Sequence, residues 1–195
     1  MAWSPITSNT IGHKHCILAV GTETAEVTFW RYHLLLSMID NSFSRNQQPQ
    51  YLSKLQLPAD TNTAITHLAW SPLFANSNSG EEIEKFAILA ISAMDGSVHL
   101  ALLSLSSSLR PENEMTTSCM SIVYTKELLP NQRIPVSKLT WQGRNEDIIL
   151  AIARNGILTL SIHQHSEIET LPSKLVTCRH QNFSPVVGTP FFPHI

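Results

Sequence analysis

The chain has 195 residues, of which 43% are hydrophobic and 14% charged, and 13 basic against 15 acidic side chains leave a net charge of −2. So low a charged fraction argues against long amphipathic or coiled-coil helices, and the near-neutral balance supplies no global positive field for nucleic acid or anionic membrane. Cys16, Cys119 and Cys178 are too scattered for a disulfide framework and form no Cys-x-x-Cys zinc half-site.

In chain order, Ala2-Trp3-Ser4-Pro5 predicts a short strand ended by proline, which has no N–H to give a ladder. Residues 16–20 (Cys-Ile-Leu-Ala-Val) are an apolar run of buried-strand length. Thr22-Glu23-Thr24-Ala25 has no glycine and predicts a longer turn into a third strand over 26–32. After the polar stretch 40–50, residues 51–58 predict a fourth strand ending in Leu-Pro.

The pattern restarts at Ile65-Thr66-His67-Leu68, the lead-in to Ala69-Trp70-Ser71-Pro72. A polar stretch over 76–84 precedes the apolar run 86–91, the turn dipeptide Asp95-Gly96 and a β-prone run over 97–102. Residues 104–121 are rich in Ser and Thr, and 122–130 repeat the fourth strand and its Leu-Pro end. A third round begins at Val136-Ser137-Lys138-Leu139 and passes through Thr140-Trp141-Gln142-Gly143, the run 148–153, Asn155-Gly156 and the alternating strand 157–162. Its last strand is placed at either 174–179 or 185–188.

Trp70 lies 67 residues after Trp3, and Trp141 lies 71 after Trp70. Four antiparallel strands repeated in tandem are the blades of a β-propeller. The fold class is therefore all-β, a WD-repeat-like propeller of about three four-stranded blades, with units 1–58, 65–130 and 136–188 and an irregular tail over 189–195. These units exceed the ~40 to 45 residues of a typical Trp-Asp blade, and the excess falls in the polar connections. Propellers have about four to eight blades, so three predict a segment of a larger ring, truncated on at least one side.

Trp3, Trp70 and Trp141 occupy the same place in each unit and are expected to pack between blades with their indole N–H groups bonded, rather than to form an aromatic ligand site. Pro5 and Pro72 end the Trp strands, and Asp95, Gly96, Asn155 and Gly156 make the hairpins. His13-x-His15 and His163-x-His165 could each put two imidazoles on one face of a strand, but no further ligand completes a zinc site, and they are read as exposed loop histidines. His67 and His99 are read as surface or satisfied core residues. The sequence carries no Gly-x-Ser-x-Gly elbow, phosphate loop or His-Glu-x-x-His motif. Glu81-Glu82-x-Glu84 reads as a solvated charge run, and 104–121 as a mobile loop able to accept phosphate. No catalytic, cofactor-binding or metal-binding residue is assigned.

The N-terminus lacks the basic and apolar regions of a signal peptide, and no apolar stretch approaches the ~20 residues of a membrane helix. The expectation is an intracellular soluble protein, with the sequon Asn182-Phe183-Ser184 arising by chance.

The block Ile65-Thr66-His67-Leu68-Ala69-Trp70-Ser71-Pro72-Leu73, with Ala2-Trp3-Ser4-Pro5 and the stretches 86–103 and 136–160, resembles the N-terminal propeller of the transcription factor IIIC delta-type subunit, the roughly 90-kDa fungal component. The likeness covers most strand positions and hardly any loop. Third strands ending Phe29-Trp30, Leu102-Leu103 and Leu160-Ser161 imply that no blade carries the usual Asp-based tetrad.

The resemblance implies a nuclear, non-catalytic scaffold without cofactor. Its partners would be other transcription factor IIIC subunits and polymerase III initiation factors, with DNA contact indirect and neither membrane nor small-molecule substrate involved. The histone acetyltransferase activity associated with some members is not carried over, because no acetyl-coenzyme A motif is present. The family's further blades and C-terminal zinc-binding region have no counterpart in these residues. Rival readings are a degenerate propeller subunit of a trafficking, Elongator-like or ubiquitin-ligase complex, and a metal enzyme using the His pairs.

Overall fold

The structure, a computed structural model, describes residues 1–8, 14–34, 48–58, 63–76, 84–105, 120–144, 147–164 and 174–179. Among these, every regular element is a strand, and the strands form three antiparallel sheets. His13, Glu81, Glu82, Cys119, His165, Asn182, the Ser/Thr-rich stretch 106–119, the alternative strand 185–188 and the tail 189–195 lie outside the described residues.

Blade 1 contains β1 (Ala2–Trp3), β2 (Thr7–Ser8), β3 (Lys14–Gly21), β4 (Glu26–Leu34) and β5 (Gln50–Gln56). Blade 2 contains β6 (Ile65–Trp70), β7 (Phe74–Asn76), β8 (Glu84–Ala93), β9 (Val98–Leu105) and β10 (Ser121–Leu129). Blade 3 contains β11 (Lys138–Arg144), β12 (Asp147–Arg154), β13 (Ile157–Gln164) and β14 (Lys174–Arg179). Each is a meander, ordered β1-β3-β4-β5, β6-β8-β9-β10 and β11-β12-β13-β14.

Blades 1 and 2 each carry a fifth short strand that a four-stranded reading did not anticipate, and the Ser-Pro dipeptide explains it. Ser71 N–H donates to the Ile88 carbonyl at 2.8 Å, and the Ile88 N–H returns to Ser71 Oγ, also at 2.8 Å, instead of to a backbone carbonyl. The hydroxyl thus closes the ladder where Pro72 turns the chain away, and the strand resumes as β7, with Phe74 opposite Phe86. Ser4 does the same for Ile17, after which β2 rejoins β3. Blade 3 has Gln142-Gly143 in that place, and β11 runs unbroken from Lys138 to Arg144 opposite β12.

The hairpins differ from expectation in one respect. The turn between β3 and β4 is no longer than that between β8 and β9: Gly21 pairs with Val27 as Ser92 pairs with Val98, and Thr22 N–H bonds Glu26 O as Ala93 N–H bonds Ser97 O. The left-handed position that Gly96 fills at φ +85° is taken in blade 1 by Ala25 at φ +58°, so alanine accepts the strain that glycine avoids. Asn155 and Gly156, both at positive φ, make the tighter two-residue turn between β12 and β13.

The core lies between blades. Ile17, Ala19, Val27 and Phe29 of blade 1 pack against Leu89, Ile91, Ala101 and Leu103 of blade 2. Ile88, Leu100 and Leu102 on the opposite face of blade 2 pack against Leu139, Leu150 and Ile152 of blade 3. Because blade 2 is covered on both faces, every residue of β9 is buried, whereas β13 alternates buried and exposed positions. Each fully buried Leu or Ile contributes roughly 1.5–3 kcal/mol relative to exposure, so blade 2 holds its neighbours in place.

Candidate functional site

The repeated feature of this molecule is the junction between blades. Trp70 Nε1–H donates to the Ala2 carbonyl at 3.2 Å, and Trp141 Nε1–H donates to the Ala69 carbonyl at 2.9 Å. In both cases the acceptor is the residue immediately before the Trp of the preceding blade. Small side chains at the acceptor and at its cross-strand partner, Ala2 opposite Ala19 and Ala69 opposite Ala90, leave room for the indole. Phe29 meets Trp70 edge-on with ring centres 6.2 Å apart, and His163 tilts against Trp141 at 5.6 Å. Trp3 departs from the expectation that all three tryptophans lie between blades, being 52% exposed and edge-on to Tyr32 of its own sheet at 4.9 Å.

Pro5 and Pro72 follow the two serines that close the ladder; each serine hydroxyl also donates to the carbonyl of its own proline. Asp95 and Gly96 do more than turn the chain. Asp95 Oδ1 accepts from the Ser97 N–H and hydroxyl at 2.8 Å each, and Ser97 Oγ lies 3.2 Å from His99 Nε2. The Asp95 carbonyl accepts the Arg133 N–H at 2.9 Å, and the Gly96 carbonyl accepts from the Arg154 guanidinium, whose other arm bonds Gln132 Oε1 at 2.8 Å. Blade 2 therefore carries an Asp-based polar chain of its own. It differs from a tetrad in sitting on alternate residues of a single strand end, where the pattern Asp-x-Ser-x-His was the available signal.

Arg154, buried among these groups, has its ionised form disfavoured by burial and partly restored by the Asp95 charge. Gly96 sits so close to Ile134 that an added Cβ would fall 2.2 Å from the Ile134 carbonyl oxygen, while nothing lies within 4 Å of the corresponding point on Gly156. Gly21 makes a second close approach, against the Ile65 side chain at the blade 1–blade 2 junction. The sequence reading did not single out Ser97, Arg154 or Gly21.

The histidines are placed differently from the loop positions expected for them. His15 lies in β3 and His163 in β13, both buried. Burial, with Lys126 nearby, pushes the His163 pKa down to about 4, so its ring is neutral at pH 7. Its Nε2 lies 2.9 Å from Ser161 Oγ, and its buried Nδ1 has no hydrogen-bond partner. His99 is a satisfied core residue, and His67 is half-buried with an unpartnered Nδ1. Among the described residues, no three His, Cys, Asp or Glu side chains converge as metal ligands. A cavity of about 80 Å³ between blades 1 and 2, lined in part by Leu57, His99 and Lys126, is well below the ~300 Å³ of a small-molecule site.

The two outer faces carry the remaining chemistry. Across blade 1, Trp3, Leu18, Trp30 and Tyr51 pair in sequence along one row, with Trp30 and Tyr51 edge-on at 5.3 Å. Blade 2 has Ala101 and blade 3 has Ser161 where blade 1 has Trp30. On the far side, blade 3 presents Ile149, Ala151, Ala153, Leu158, Leu160 and Ile162, all at least partly exposed.

Three consecutive meander sheets, packed face to face and tied by a repeated indole-to-carbonyl bond, define this chain as β-propeller blades. Residues 1–193 match the family model of the transcription factor IIIC subunit delta beta-propeller domain, and the chain belongs to that family. Comparison with curated proteins found no match.

Proposed function

We propose that this chain is a non-catalytic propeller scaffold of the transcription factor IIIC complex, supporting RNA polymerase III transcription of transfer-RNA genes through protein–protein contacts in the nucleus. The family match over residues 1–193 carries this reading. A net charge of −2 favours protein partners over a DNA-reading role, because duplex binding rests on phosphate neutralisation by Lys and Arg. Among the described residues, Asp95, Ser97 and His99 brace a turn, and His163 is buried against Trp141. The units 1–58, 65–130 and 136–188 act as consecutive blades whose connecting loops offer the partner contacts.

Affinity purification of the tagged protein from nuclear extract tests the reading. Stoichiometric recovery of other transcription factor IIIC subunits is the expected result. Recovery of a trafficking, Elongator-like or ubiquitin-ligase complex in their place would overturn it.

A further inference from the structure

The cavity between blades 1 and 2 has two unlike walls. One is apolar: Leu55 and Leu57 from the end of β5, with Ile91 of β8. The other is polar and belongs to blade 2, where His99, Thr125 and Glu127 stand together. Strand register explains the grouping, because Glu127 lies opposite His99 and Thr125 opposite Ala101, on the face that blade 1 covers. Lys126, between them in sequence, lies opposite Leu100 on the other face, and its side chain leaves towards blade 3, where its charge acts on His163.

The polar wall has one group left to use. His99 is held in place by Ser97: the Ser97 hydroxyl already donates to Asp95, so its oxygen accepts from His99 Nε2–H. Glu127 is exposed, and among the described residues its carboxylate makes neither a hydrogen bond nor an ion pair. The blade 2–blade 3 junction has no counterpart, since register puts Thr159 and Thr177 where this junction has His99 and Glu127. The carboxylate is therefore no part of the docking device that repeats between blades.

We infer that this slot receives one lysine side chain from an extended segment of a partner protein. The lysine stem lies along Leu55, Leu57 and Ile91, and its ammonium meets the Glu127 carboxylate and the Thr125 hydroxyl. A volume of about 80 Å³ suits a single anchoring side chain rather than a small molecule. An apolar wall that ends at an unpaired carboxylate complements an aliphatic stem that ends in a cation. The carboxylate and hydroxyl are separate acceptors on alternate residues, which a rotatable ammonium uses better than the planar fork of arginine. The inference deepens the scaffold reading and rests on it for the kind of partner, a protein.

Titration of the chain with the peptide acetyl-Gly-Gly-Lys-Gly-Gly-amide, followed by amide NMR, is the test. The expected result is saturable shifts at the amides of Ile91, His99, Thr125 and Glu127, with millimolar affinity. Norleucine in place of the lysine keeps the stem and loses the charge, and it should bind about fivefold more weakly. Glu127→Gln should weaken the lysine peptide by the same factor, whereas Glu23→Gln, which removes an exposed carboxylate elsewhere, should leave it unchanged. Thermal melting checks that both variants fold as the wild type does. Absence of saturable shifts at these amides would overturn the inference. So would a norleucine peptide that binds as well, an arginine peptide that binds more tightly, or equal losses in the two variants. No transcription factor IIIC subunit enters the titration, so a failure here is distinct from a failure of co-purification, which tests the scaffold reading.

Discussion

The indole N–H of Trp141 reaches back to the carbonyl of Ala69, 2.9 Å away and 72 residues earlier in the chain. Trp70 repeats the contact with Ala2. The bond runs between blades, so it measures sheet-to-sheet docking rather than strand pairing. Trp141→Phe keeps an aromatic ring and deletes the donor, and it should cost about 1–2 kcal/mol from the lost bond and reduced packing. Urea denaturation at fixed chain concentration would show a lower midpoint with an unchanged slope. An unaltered midpoint would mean that the apolar faces alone hold the blades together.

Ser71 completes the strand ladder with its side chain, accepting the Ile88 N–H while its own backbone turns into Pro72. Ser71→Ala would leave that buried donor without an acceptor, and the expected loss is about 1–3 kcal/mol. Ser71→Thr keeps the hydroxyl and should recover most of it. Comparing the two variants by thermal melting separates the hydrogen bond from general disturbance of the site; equal losses would argue against the assigned role of the hydroxyl.

The three hairpins give graded predictions from one backbone conformation. Gly156→Ala meets only the left-handed cost of about 1–2 kcal/mol, because open space surrounds it. Gly96→Ala adds a collision with the Ile134 carbonyl and should cost about 3 kcal/mol or more. Ala25→Gly relieves the same strain but removes a buried methyl and loosens the unfolded chain, leaving a change of less than about 1 kcal/mol. A ranking in which Gly156→Ala is the most damaging would contradict this account.

Strand order and the repeat were legible in the sequence because Trp-Ser-Pro, the Ile/Leu/Ala runs and the Asp-Gly and Asn-Gly turns each have a local physical cause. The fifth strands were not, since a chain that breaks at proline and rejoins the same sheet requires knowing that Ser4 and Ser71 accept across the ladder. The turn at 22–25 looked longer for lack of glycine, although tertiary packing holds Ala25 in the conformation glycine prefers. His15 and His163 were misplaced for a different reason: next to polar residues they resemble a loop entry, and only strand register shows them facing the interior. Arg154 was invisible because its partners, Gly96 and Gln132, come from another blade and a connection.

Arg154 bridges the β8–β9 turn of blade 2 to blade 3 through the Gly96 carbonyl and Gln132. Arg154→Ala strips two acceptors of a charged donor and should cost about 2–3 kcal/mol. Arg154→Lys restores the charge but not the fork, so it should recover only part of that loss. Full recovery by lysine in equilibrium unfolding would show that charge, not geometry, is what blade 3 supplies here.

His163 makes stability depend on pH with a sign set by its burial. Its folded pKa of about 4 lies below the ~6.5 of an unfolded histidine, so the unfolded chain binds a proton that the folded chain resists. The stabilising effect of the neutral ring is fully present above about pH 6.5 and is lost as pH falls from there towards 4. The difference amounts to on the order of 3 kcal/mol at its full extent. Unfolding free energies measured between pH 7 and 4.5 should therefore fall more steeply for the wild-type chain than for His163→Phe, which keeps a ring against Trp141 but cannot take up a proton. Parallel curves would show that protonation of His163 is not coupled to unfolding and would place the acid sensitivity of this protein elsewhere.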